Sequence, residues 1–145
     1  MKKRNLVIVS LLVLAMSVVF MGCPPEEDDP LAEANGYLSD MGYTGKIKAP
    51  AAGTYTGVFH NTNTVLVSWE GCTESDFNTY KSSLPAETKI GLARAAFDFS
   101  DNAAYFGTGD DQFTGMVDFN VAGGTKGGLA VAPNSIVVQI TKKNN

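Results

Sequence analysis

Hydrophobic and polar positions along the 145 residues fall into stretches of different period. Leu6–Phe20 is a nearly unbroken apolar run, interrupted only by Ser10 and Ser17. It is shorter than the ~20 residues that span a bilayer. From Thr54 a β pattern begins. Thr54–Phe59 and Thr64–Trp69 flank the polar cluster Asn61-Thr62-Asn63, which predicts a hairpin. A helical period follows, with Phe77, Tyr80 and Leu84 spaced by three and four. Thr73-Glu74-Ser75-Asp76 has capping-box spacing, with Asp at N3, and Cys72 and Phe77 occupy the positions of a hydrophobic staple. Pro85 stops the helix near Leu84.

Residues 88–99 fit either period, and we favour a strand over Ala93–Phe99 that turns at Ser100-Asp101-Asn102 and returns through Ala103–Phe106. In Phe113–Val121, Val117, Phe119 and Val121 alternate with Met116, Asp118 and Asn120, the pattern of a half-buried strand. Ala122–Gly128 reads as a glycine-rich loop. Ser135–Thr141 is the last strand, with Ile136, Val138 and Ile140 on one face. The predicted fold is α+β: an antiparallel sheet of about five or six strands with one main amphipathic helix on one face.

The amino-terminal pattern carries an address. Lys2-Lys3-Arg4, the apolar run and Phe20-Met21-Gly22-Cys23 have the layout of a secretory signal peptide. The small residue before a cysteine resembles the lipobox of bacterial lipoproteins, although Phe20 and Met21 depart from its usual residues. The resemblance implies cleavage after residue 22 and acylation of Cys23, with palmitate among the chains. It also implies a membrane-anchored protein of the bacterial cell envelope, periplasmic or surface-exposed. Two or three acyl chains hold stably where one binds marginally, because each buried methylene contributes about 0.8 kcal/mol.

Loss of residues 1–22 leaves 8 basic against 15 acidic residues. Six of the acids lie between Cys23 and Asp40, where no basic residue occurs. Residues 23–42 therefore read as an acidic, proline-stiffened tether with a marginal helical turn at Leu31–Leu38, weakened by Gly36. Residues 43–145 form one domain, nearly neutral and not basic enough for nucleic acid. With Cys23 acylated, Cys72 has no intrachain disulfide partner.

Candidate chemistry is sparse. Cys72 precedes a helix, where thiols can be activated, but Glu74 and Asp76 favour the neutral form. His60, the sole histidine, lies at a strand end and reads as a solvated turn residue. Asp101, Asn102, Asp110 and Asp111 are weak calcium candidates without EF-hand spacing. Lys126 within Gly123–Gly128 lacks the order of a phosphate loop. Trp69 is a weak candidate for a ligand platform beside Tyr55, Phe59 and Tyr80.

The expected role is a non-catalytic, cofactor-free module contacting a protein or envelope polymer. One alternative is a glycan hydrolase using two of Asp98, Asp101, Asp110, Asp111 and Asp118, at ~5–9.5 Å separation. The other is a small-molecule binder or sensor, using an apolar pocket on the sheet face opposite the helix.

Overall fold

A computed structural model describes residues 29–86 and 102–144. The leader, Cys23 and the expected strand over Ala93–Phe99 lie outside these residues. Two helices, α1 (Ala32–Asp40) and α2 (Glu74–Ser83), accompany seven strands. The strands are β1 (Thr54–His60), β2 (Thr64–Glu70), β3 (Ala104–Phe106), β4 (Phe113–Asn120), β5 (Gly124–Lys126), β6 (Leu129–Val131) and β7 (Ser135–Lys142). The main sheet has the order β1-β2-β7-β4-β3 and is antiparallel throughout; β5 and β6 form a separate ribbon. This is the α+β architecture expected.

Side-chain alternation assigns the two faces. Val65, Val67 and Trp69 of β2, Ile136, Val138 and Ile140 of β7, and Val117 and Phe119 of β4 point into one core. Both helices cover that face, α1 over β1 and β2, α2 over β4. The β1–β2 hairpin forms as expected, with a bulge between Tyr55 and Gly57.

In α2, Thr73 Oγ1 accepts from the Asp76 amide at 3.1 Å, and Asp76 Oδ2 accepts from the Thr73 amide at 2.8 Å. The Thr73 hydroxyl also donates to Asp76 Oδ2, at 2.7 Å, and this bond, with the one from the Thr73 amide, holds the Asp76 carboxyl below its ordinary range. Phe77 and Tyr80 are buried, and Leu84 is extended immediately before Pro85.

Residues 23–42 need a correction: the domain begins before residue 43. Leu31, Ala34, Leu38 and Met41 are all buried, and their spacing of three and four draws one apolar stripe along α1. Burial of that stripe outweighs the exposed Gly36, which costs at most about 1 kcal/mol. The helix also has a definite stop. Gly42, at φ 90°, donates to the Ser39 carbonyl, and the Tyr43 amide donates to the Leu38 carbonyl. This pair of bonds is a Schellman motif with glycine at C′. Lys142 Nζ donates to the Met41 carbonyl at 2.8 Å, joining the end of β7 to the end of α1. Glu33 and Asp40 therefore belong to the folded domain, and the chain between Cys23 and Leu31 is short.

The glycine-rich segment is also more ordered than expected. Gly127 and Gly128, at φ 55° and 103°, turn β5 into β6, as a two-residue I′ hairpin requires. Leu129 and Val131 from this ribbon pack with Phe59, Leu66 and Val137 into a second, smaller core on the other sheet face. Consequently β4 is not half-buried. Met116, Asp118 and Asn120 are as inaccessible as their inward neighbours, and Val121 lies beyond the strand, exposed. Lys126 Nζ reaches the Asp118 carboxylate at 3.2 Å, an ion pair between the ribbon and the sheet.

Candidate functional site

A pocket of about 530 Å³ opens on the helix-covered side of the sheet. Three segments build it. The stretch after α1 brings Tyr43, Ile47 and the lysines on either side of Ile47. The end of α2 brings Tyr80, Leu84 and Pro85, and the turn after β3 brings Gly107 and Thr108. Val138 and Ile140, at the centre of the sheet, form the floor.

Hydrogen bonds hold the walls. The Ile47 amide donates to Asn35 Oδ1 at 2.9 Å, pinning the lysine-bearing segment to α1. Tyr80 Oη donates to the Lys48 carbonyl at 2.6 Å, and Tyr43 Oη donates to the Thr108 carbonyl at 3.1 Å. Burial pushes both phenols above their ordinary pKa, Tyr80 strongly, so they stay neutral and committed to the backbone. Lys46 and Lys48 are exposed at the rim, and neither forms an ion pair among the described residues. Among the described residues, no carboxylate lines the pocket.

The residues singled out from the sequence lie elsewhere. Trp69 is 2% exposed, edge-on to Tyr55 and tilted against Tyr80 at ring distances of 6.3 and 6.4 Å. It is a core residue and not a surface platform, because β2 is an interior strand whose odd-numbered positions face the helices. His60 is exposed but not merely solvated: its ring stacks on Tyr37 of α1 with centroids 3.5 Å apart.

Asp110 occupies the turn before β4, where its Oδ1 accepts from the Gln112 amide at 2.8 Å. Asp111 is its exposed neighbour in the same turn. Asp118 is five residues into β4, about 17 Å along the strand at ~3.3 Å per residue, and faces the ribbon. Neither Asp110 nor Asp111 is brought together with Asp118. Asp98 and Asp101 lie outside the described residues. Among the described residues no three His, Cys, Asp or Glu side chains gather as metal ligands.

Cys72 is buried, with Sγ 3.5 Å from the Trp69 carbonyl and 3.6 Å from that of Ala52. Burial raises its pKa, with a smaller upward push from Asp76, while a backbone hydrogen bond from Ile136 lowers it. The site is built for packing and not for a thiolate.

One prediction follows from the sign of these shifts. Cys72, Tyr43 and Tyr80 all deprotonate more readily once unfolded, so their contribution is complete at neutral pH and declines as pH rises past about 8.5 for the thiol and about 10 for the phenols. Urea midpoints should fall from pH 8 to pH 10.5. A thiol reagent at pH 8 should label Cys72 only at the rate of unfolding, and immediate labelling of the native chain would contradict its burial.

The pocket residues carry no signal in a motif search. Tyr43 and Ile47 among lysines and glycines resemble an ordinary connection; only the alternation Lys46-Ile47-Lys48 hints that one side is turned inward. Compared with protein-family models, curated proteins and solved structures, the chain matches none.

Proposed function

We propose that this protein is a lipid-anchored component of a bacterial cell envelope whose domain binds a small molecule without transforming it. The observation that carries the binding half is the pocket: apolar floor, walls fixed by committed phenols, and no carboxylate among the described lining residues. Its volume lies in the range of ligand sites. It lies on the helix side of the sheet; the opposite face, where the sequence predicts such a pocket, is partly covered by the β5–β6 ribbon. A small molecule suits the surface better than an apolar protein partner does. Among the described residues, the only large hydrophobic side chains classed as exposed are Tyr105 and Val121.

The anchoring half rests on the basic start, the apolar run and Gly22-Cys23. With the domain starting at Leu31, the seven residues Pro24–Pro30 reach at most about 25 Å, which would keep the pocket close to the bilayer. Palmitate fed to expressing cells should label the protein, and Cys23→Ala should abolish the label. Persistent labelling without Cys23 would defeat the anchor. Binding is tested by the methyl resonances of Ile47 and Ile140: an uncharged arylalkyl alcohol such as 6-phenylhexanol should shift both, and unmoved methyls at saturation would defeat the pocket as a ligand site.

A further inference from the structure

We infer that the pocket selects amphiphilic anions: molecules with an apolar body and a single carboxylate, held by Lys46 and Lys48. The inference rests on the binding role proposed above and adds the chemistry of its ligand.

The polar capacity of the lining is unevenly spent. Tyr43 Oη and Tyr80 Oη are bound to backbone carbonyls, Ser83 Oγ donates to the Tyr80 carbonyl, and Thr108 Oγ1 donates to the carbonyls of Asp110 and Phe113. These hydroxyls shape the wall, and their protons are used. The two lysines are different. Among the described residues they are the only charged ones in the lining; they carry the same sign and flank Ile47, whose side chain is buried while theirs are exposed.

Alternation along an extended segment explains the arrangement: Ile47 goes in, and its neighbours stay at the rim on long flexible stems. Two like charges, with no carboxylate between them among the described residues, repel each other mildly, and an anion seated across the rim removes that repulsion. The floor of Val138 and Ile140 offers no hydrogen-bonding side chain, so the buried part of the ligand has to be apolar. A cation is opposed by both lysines. A polyanion would leave charges over an apolar floor, where they are poorly solvated. One acid group at the mouth and hydrocarbon below satisfies every wall.

The test uses the full chain in nanodiscs and follows the Ile47 and Ile140 methyls. Titration with 6-phenylhexanoate should saturate at about tenfold lower concentration than with 6-phenylhexanol, and about 0.5 M salt should narrow the gap. The double variant Lys46→Gln/Lys48→Gln should bind the alcohol unchanged and lose the preference for the acid. Both substituted side chains are exposed, so the variant keeps its fold, which its unligated methyl spectrum reports directly. Equal affinity for acid and alcohol in the parent chain overturns the inference and leaves the binding role standing. An acid preference that survives in the double variant also overturns it. If neither compound moves the methyls, the pocket itself is not a ligand site.

Discussion

Leu38→Ala should destabilise the domain by about 3 kcal/mol, lowering Tm by roughly 12 °C. Leu38 is among the largest fully buried side chains, and it lies on a helix that composition and charge had assigned to a tether. Its carbonyl also receives the Tyr43 amide, so the residue serves the core and the helix stop together. Were α1 a spacer, the same change would cost a few tenths of a kcal/mol, as exposed substitutions do. Gly36→Ala is the matching control on the same helix. A Cβ there meets nothing within 4 Å, so the variant should gain about 0.8 kcal/mol from helix propensity. Chemical denaturation of both variants gives the comparison. A loss below 1 kcal/mol for Leu38→Ala would return α1 to the tether.

Trp69→Ala should cost about 4 kcal/mol, much of a total that for such domains is 5–15 kcal/mol. The indole sits between Tyr55 and Tyr80, and Tyr80 in turn lines the pocket and holds Lys48 in place. Loss of the ring should therefore weaken any ligand in the pocket as well as the fold. As the only tryptophan, it reports on itself: native emission should be blue-shifted and barely quenched by acrylamide. Emission like that of free indole in water, or a variant as stable as the parent, would place Trp69 at the surface.

Elements whose signals are local and redundant were legible in the sequence. Helix α2 has a capping box at one end, Pro85 at the other and an apolar stripe between, and each signal alone predicts it. The β1–β2 hairpin combines β-branched and aromatic runs with an Asn-rich turn. Where two signals disagreed, the longer-range one prevailed. In α1 the glycine and the acidic run argued against a helix, while Leu31, Ala34, Leu38 and Met41 argued for one. That stripe is decisive only where a sheet lies beneath it. In the β5–β6 ribbon, Gly127-Gly128 has the conformational freedom of a linker and equally the positive φ of a tight hairpin; Leu129 and Val131 decide between them once Leu66 and Val137 provide a surface. The pocket was beyond reach for a similar reason. Its lining comes from segments some 90 residues apart, and nothing in Lys46-Ile47-Lys48 says what stands opposite.

The sheet order has a consequence for how the chain reaches its native state. β7 lies between β2 and β4, so the strand that completes the sheet is the last of its strands to emerge. A polypeptide synthesised or threaded through a membrane amino end first presents β1, β2 and β4 before the strand that joins them. The hairpin and α2 can form locally, but their apolar faces wait for residues 135–142. Such late closure of long loops makes folding slow. Were the chain exported unfolded, as the proposed anchor requires, the delay would be useful: the fold would lock only after its central strand had passed.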